Sequence, residues 1–433
     1  MSNNGMGQNK DTLTPRQRSL AWRLTAACFF FELAFQSTYF VGVIGCATYD
    51  LGLDAAGVSL LVFLIDALQI VGTMVAGVFV DRRGPRQTMV VSLVLLAVSG
   101  LFILLVPLTY ASLVMVAVTQ GLTFGMCATT NEAFPRYIVR SRAGLARING
   151  VMNIVMSVSV VVGPALAGLV TRCFATKDVF WLLFLSPLPS IALIASMRGL
   201  AAVGEDVAEG VDAAGAEDDT GAEDDAEAHV PASHGFLREA ADGAHYSFAH
   251  PALRVILVMA FLAFFAYGAF DSLESLFYRD VLHADAEWMG WMGTIVGVGG
   301  LLGSFIATRV PSRHYTIALM AFLLAITGVG SMIYVGTSSL LITAIGQFVT
   351  GVGWGAIGPV RTTLVQDYSE KSYLGRVSAV MRIALTSAGT VPLLVAPFVA
   401  KAVGVQPVLF SASAVVAVLG FGFMAYARRH PRG

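Results

Sequence analysis

Long apolar runs, broken by short polar clusters, set the pattern of this chain. Twelve runs reach bilayer length, at about 20 apolar residues each. They cover 21–48, 57–80, 86–107, 111–138, 147–171, 178–198, 253–281, 288–309, 315–335, 338–363, 375–400 and 405–427. A run that long reads as a helix crossing hydrocarbon, because a helix satisfies its own backbone donors and acceptors. Six runs precede residues 199–250 and six follow. That intervening segment holds eleven acidic residues between Glu205 and Glu227 and shows no apolar periodicity. It should repel itself and stay disordered. A solubilising tether is its plain role; regulatory docking is the alternative. The expected fold class is an all-α membrane protein of twelve transmembrane helices in two six-helix bundles. The expected organisation is an N-terminal tail over 1–19, a first bundle over 20–198, an acidic linker over 199–250, a second bundle over 251–427 and a tail over 428–433.

Composition sharpens this picture. Hydrophobic residues make up 56% and charged residues only 13%, with mean hydropathy +0.73, where a soluble domain carries about 25% charged residues. The net charge of −1 hides a basic remainder, since the linker holds so many of the acids. Only Arg172, Lys177, Arg279 and Lys401 fall on the expected outer side, and the other 23 of 27 basic residues fall on the inner side. Cytoplasmic loops attract Lys and Arg. Both termini and the linker are therefore expected in the cytoplasm, with the chain multi-pass in the cell (plasma) membrane. Residues 1–19 are polar and the first apolar run is too long for a cleavable signal. The cysteines Cys28, Cys46, Cys127 and Cys173 lack metal-ligand spacing and read as small packing residues.

One polar cluster carries a specific pattern. The run ending at Val80 stops at Asp81-Arg82-Arg83-Gly84, and a new run starts after Arg86. Four such charges cost several kcal/mol each in hydrocarbon, so they mark a water-facing hairpin. Gly84 permits positive φ at the turn, and Pro85 presets the first turn of the next helix. Gly77, Asp81, Arg82, Gly84 and Arg86 match the GxxxDRxGRR signature that the major facilitator superfamily carries between its second and third helices. Pro85 replaces the first arginine of the closing pair, which weakens the motif's basic end. The resemblance covers nearly the whole chain. It implies two pseudo-symmetric bundles and a role for this motif as a cytoplasmic latch. A generic basic loop is the plainer reading.

The halves repeat weakly. Gly121 and Gly125 in the fourth run match Gly351 and Gly355 in the tenth, and Arg147 to Met152 match Arg376 to Met381. Transporters built from parallel repeats place their site between the repeats near mid-membrane. The counterpart of the hairpin motif is eroded: Gly303 remains, but Ala307 stands where Asp81 would pair. Other family signatures are partial. Gln120-Gly121 resembles the end of R-x-x-Q-G, yet Ala117 occupies the arginine's place, which puts one standard coupling route in doubt. Gly163-Pro164 with Gly168 resembles the antiporter motif ending GPxxGG without its earlier glycines. Together with Arg147 to Asn149, these look most like the drug and siderophore exporters that include macrolide-efflux proteins.

Ionisable groups inside spans are candidate functional sites. Glu32 lies about 16 Å from the inner end of the first span, with Gln36 and Tyr39 on its face. Asp66 lies about 22 Å along the second helix from Asp81; it reads equally as a proton carrier and as a structural carboxylate. Tyr267, Asp271, Glu274 and Tyr278 recur at helical spacing and are expected on one continuous face, open to a cavity. They suit proton exchange or recognition of a cation; the plainer reading places the two acids near the outer headgroups. Glu132 and Arg361 occupy equivalent places in the halves and are expected to form a cytoplasmic gate pair, unless each merely snorkels to water. Arg382, about 10 Å inside the eleventh span, is a possible charge partner for Asp81 or Glu132, a group that binds an anionic substrate, or an interfacial arginine. Gly163, Pro164, Gly358 and Pro359 are expected to bend their helices.

The function expected from these features is secondary active transport: proton-coupled efflux, by antiport, of an amphipathic or cationic small molecule. The alternatives are proton-driven import of a small organic anion and a non-transporting membrane sensor. An enzyme lacks support, since no nucleophile–base set, phosphate loop or metal cluster appears among the seven histidines. No cofactor and no metal is expected. The expected partners are a small-molecule substrate, protons and the lipid bilayer, with no nucleic acid and a monomeric state.

Overall fold

The computed structural model describes residues 13–139, 141–197, 236–370 and 373–429. These residues are nearly all helical, and no strand occurs among them. Eleven helices are long and apolar enough to cross a membrane. One of them, Ala55–Leu105, spans 51 residues and holds two crossings, because Gly84 breaks it at φ 77 and ψ 162. That backbone region is almost confined to glycine. The twelve spans are therefore Pro15–Asp50, the two arms of Ala55–Leu105, Tyr110–Tyr137, Arg142–Cys173, Thr176–Ala195, Pro251–Val281, Glu287–Arg309, Ile317–Val335, Leu340–Tyr368, Leu374–Val403 and Val405–Arg429. They are numbered first to twelfth below.

Local chemistry starts these helices. Thr14 accepts a hydrogen bond from the Gln17 backbone N–H at 3.2 Å, and the Gln17 side chain accepts from Thr14 N–H at 3.0 Å. With Pro15 at the first helical position, two orphan donors are satisfied and φ is preset. Thr109 caps the fourth span through the same reciprocal pair, with Ser112, and Thr316 caps the ninth by accepting from the Leu319 N–H. Many large apolar side chains face outward: Met74, Leu341 and Phe398 are 71%, 72% and 73% exposed. Exposed apolar surface on this scale suits a lipid environment.

Glycine sets the tightest packing, and it does so twice. A Cβ on Gly121 or Gly125 would run into the Ile65 or Gln69 carbonyl, binding the fourth span closely to the second. A Cβ on Gly351 or Gly355 would run into the Val296 or Gly300 carbonyl, binding the tenth to the eighth. Small residues let backbones approach without intervening side chains. The repeated glycine pairs read from sequence are thus repeated helix contacts. Gly163 also works by close approach, since a Cβ there would lie 2.7 Å from Gln36 Cβ in the first span. The tenth span continues as one helix through Gly358 and Pro359.

Contacts divide the chain into two compact units: Met1–Val43 with Leu64–Ala228, and Ile44–Phe63 with His229–Gly433. By these contacts the end of the first span and the start of the second group with the second unit. The linker differs from expectation. Its part before residue 236 lies outside the described residues, but Phe236–Ala249 is a helix. Tyr246 stacks on Tyr373 of the eleventh-span entrance at 4.2 Å, and the His250 ring lies tilted against it at 3.9 Å. Gly243 presses on Arg376, where a Cβ would lie 2.9 Å from Arg376 Cβ. Tertiary contact supplies the order that this segment's weak apolar pattern did not announce. Of the cysteines, Cys28, Cys46 and Cys127 are buried, whereas Cys173 is exposed and so is no packing residue.

Candidate transport site residues

In the first unit, Glu32 is 3% exposed. Its carboxylate accepts one long hydrogen bond, from Gln36 Nε2 at 3.5 Å. Around it, Phe124 stacks on Phe35 at 3.8 Å and on Phe31 at 5.7 Å. Asn131 Nδ2 donates to Cys28 Sγ at 3.6 Å, and Asn131 Oδ1 is buried without a partner among the described residues. Ala117, fully buried, fills the place of the motif arginine. Gln120 of the same motif instead donates to Thr38 Oγ1 at 2.9 Å, joining the fourth span to the first. Tyr39 stacks on Phe35 at 5.4 Å. Asp66 is half-buried beside the glycine contact of the second and fourth spans.

The hairpin motif adopts its expected turn. Asp81 and Arg82 are exposed, and Arg86 donates to the Ala195 carbonyl at 2.5 Å. Arg23 reaches Ser196 at the same helix end, with Nη1 3.1 Å from Oγ. Two guanidinium groups thus serve the electronegative end of the sixth span. A Cβ on Gly77 would meet nothing within 4 Å, so no packing in this structure demands a glycine there. Glu132 is exposed near the end of the fourth span.

In the second unit, the seventh span runs as helix Pro251–Tyr267, helix Phe270–Leu276 and a wide-turn segment Phe277–Val281. Gly268 and Ala269 between the two helices keep right-handed helical dihedrals, and a Cβ on Gly268 would lie 2.5 Å from the Gly389 carbonyl of the eleventh span. Tyr267 meets the ninth span, with its hydroxyl 3.1 Å from the Thr327 carbonyl and 2.5 Å from Ser331 Oγ; Glu274 and Tyr278 meet the same span at Tyr334. Asp271 is exposed, while Glu274 points into the unit.

Glu274 is the hub. Its Oε1 accepts hydrogen bonds from Tyr278 OH, Tyr334 OH and Gln347 Nε2, each at 2.7 Å. Gln347 also donates to Tyr278 OH at 2.9 Å. All three donors are neutral, so the seventh, ninth and tenth spans meet on one carboxyl group without a cation among the described residues. Tyr334 and Gln347 were not singled out from the sequence. The available signal was a polar side chain in the middle of an apolar run. Aromatic rings lead away from this hub: Phe270 lies 6.0 Å from Tyr334, Tyr267 lies 5.2 Å from Phe270, and Trp354 lies 5.2 Å from Tyr267. Arg361 is half-buried near Trp354, with Met259, Ala260, Met320 and Ile357 around the same small hole. Within its unit, Arg361 has no acidic partner among the described residues. Arg382 is exposed. No group of metal-ligating side chains occurs among the described residues.

The sequence profile of the Major Facilitator Superfamily matches residues 25–391 and, in a second match, 256–433. This chain belongs to the Major Facilitator Superfamily. It is accordingly a multi-pass membrane transporter and not an enzyme. Its similarity to the multidrug efflux pump Tap of Mycobacterium tuberculosis is 25% identity over 351 residues, covering 77% of this chain and 76% of that one. To the multidrug efflux pump Tap of Mycolicibacterium fortuitum it is 23% over 363 residues, covering 81% and 82%. Among solved structures, a nucleoside transporter superposes with a TM-score of 0.68 at 11% identity, over 94% of this chain and 99% of the other. At that identity the superposition speaks for the superfamily fold alone.

Proposed function

We propose that this superfamily member exports an amphipathic or cationic small molecule across the plasma membrane, with both termini in the cytoplasm. Alternating access moves the substrate, and protons entering the cell on the intramembrane carboxyls drive the cycle. The observation that carries this reading is Glu274, a carboxyl inside a span that is held by three neutral donors and, among the described residues, by no cation. Such a group can gain and lose a proton without dismantling an ion pair. Its aromatic neighbours Phe270, Tyr267 and Trp354 offer ring faces suited to a lipophilic cation. Glu32 and Asp66 supply further intramembrane carboxyls, and Asp81 with Arg82 serves as the cytoplasmic latch. The similarity to multidrug efflux pumps favours export.

Inverted vesicles with an imposed pH gradient test this. An ethidium-like cationic dye should accumulate, and collapsing the gradient should release it. Glu274→Gln should abolish gradient-driven accumulation while the protein still folds and inserts. Undiminished accumulation with Glu32, Asp66, Asp271 and Glu274 all replaced by their amides would overturn proton coupling through these residues. A second reading, import of a small organic anion, draws on Arg361 and its lack of an acidic partner within its unit among the described residues. It predicts uptake of organic anions into intact cells that Arg361→Gln removes.

A further inference from the structure

An apolar groove of about 430 Å³ opens in the second unit, where the linker helix Phe236–Ala249 meets the seventh and eleventh spans. The linker helix contributes Phe248, the seventh span Leu257, Val258 and Phe261, and the eleventh Val380 and Ile383. The lining reaches as far as Leu262 and Ala384. Leu262 lies eleven residues beyond Pro251, where the seventh span starts, and Ala384 ten residues beyond Leu374, where the eleventh starts. At 1.5 Å per residue these depths are about 15–17 Å. That is half of a hydrocarbon core roughly 30 Å thick. The groove thus runs through one leaflet, on the side of the linker helix.

Two cations stand at its shallow end. Arg254 precedes Leu257, Val258 and Phe261 by three, four and seven residues, which puts all four on one helix face. Arg376 precedes Val380 and Ile383 by four and seven residues and shares their face in the same way. Each arginine is therefore about one turn nearer the linker helix than the apolar wall below it. Arg254 is exposed and Arg376 half-buried. Neither guanidinium makes a hydrogen bond or an ion pair among the described residues. The Arg376 guanidinium lies 5.4 Å from the Tyr373 ring, which also stacks with Tyr246 of the linker helix. Docking of that helix and placement of the cation are thus linked. Asp242 is exposed two residues before the lining residue Ala244, a spacing that turns it away from the groove.

The arrangement selects its occupant by charge and by depth. An apolar groove alone would take any hydrocarbon chain. Two arginines above it repel a cationic amphipath, so the exported molecule proposed above does not fit here. A phosphodiester does fit, because the guanidinium fork matches phosphate oxygens. An acyl chain attached to that phosphate would continue down the apolar walls. The bilayer supplies such a molecule at this depth, and anionic lipids are recognised by basic pockets between spans.

We propose that the groove is a binding site for an anionic phospholipid of the leaflet on the linker's side, the cytoplasmic leaflet in the orientation proposed above. Arg254 and Arg376 hold the phosphate, one acyl chain fills the groove, and the lipid joins the linker helix to the seventh and eleventh spans.

Native mass spectrometry of the purified full-length protein tests this by counting retained lipid. Phosphatidylglycerol should be retained at least about tenfold better than phosphatidylcholine with the same chains, as two arginines near a phosphate imply. Arg254→Gln with Arg376→Gln should remove that preference. Ala384→Phe fills the groove and leaves both cations, and it should lower phosphatidylglycerol retention about tenfold by excluding part of the chain. Melting temperatures in lipid-free detergent establish that both variants are folded. Equal retention of the two lipids by the unaltered protein overturns the proposal, as does a preference that survives the arginine changes. Retention unchanged by Ala384→Phe overturns the groove as the place of the chain. Displacement of the lipid by inorganic phosphate alone would assign the cations to a free anion and overturn it too.

Discussion

Glu274 shows how much a single carboxyl can organise. Three donors converge on one of its oxygens, from two tyrosines and a glutamine on three different spans. Removing one donor should leave the others misaligned rather than simply subtract a bond. Tyr334→Phe is therefore expected to lower gradient-driven transport and shift its pH profile, while Gln347→Glu should interfere more severely by placing a second acid against the first. Transport assayed across external pH distinguishes these outcomes from a uniform loss of protein. Gly84 teaches a different lesson, since its constraint is conformational. Nothing lies within 4 Å of where its Cβ would be, yet its φ is 77. Gly84→Ala should cost about 1–3 kcal/mol through backbone strain alone, whereas Gly77→Ala, at a helical position with open space, should be near neutral. Thermal unfolding in detergent compares the two.

At the scale of elements, glycine-lined helix pairs do the binding. The second and fourth spans, and the eighth and tenth, approach until carbonyls occupy the space a methyl group would need. Gly125→Val and Gly355→Val should each force a pair apart and lower thermal stability by about 1–3 kcal/mol, the usual cost of overpacking a close contact. The equal response of two sites 230 residues apart would show that the repeat is energetic as well as geometric. The seventh span binds differently, through polar side chains: Tyr267, Glu274 and Tyr278 all bond residues of the ninth span, on both sides of the junction at Gly268.

For the whole molecule, the central question is how charges in the two repeats cooperate during the cycle. Glu132 is exposed and Arg361 half-buried in their respective units. If they act as a transient gate pair, Glu132→Arg and Arg361→Glu should each impair dye efflux, and the combined swap should recover a substantial share of it. A double variant no better than either single one would remove the pair from the mechanism.

Sequence alone determined the twelve spans, the hairpin turn at Gly84 and the repeated glycines. These follow from local rules: apolar length, positive φ and the absence of a side chain act within a few residues of where they are written. It also located Glu32, Asp66 and Glu274, because a charge in an apolar run is conspicuous. What surrounds those charges was decided by tertiary structure. Periodicity placed Tyr267, Asp271, Glu274 and Tyr278 on one face, but only the packed neighbours decide that Tyr267, Glu274 and Tyr278 meet the ninth span while Asp271 is exposed. The order of residues 236–249 depends on Tyr373 and Arg376, more than 120 residues away. Tyr334 and Gln347 drew no functional reading from their own segments. Their partners lie on other spans, and hydrogen bonds between distant segments leave no periodic trace along a chain.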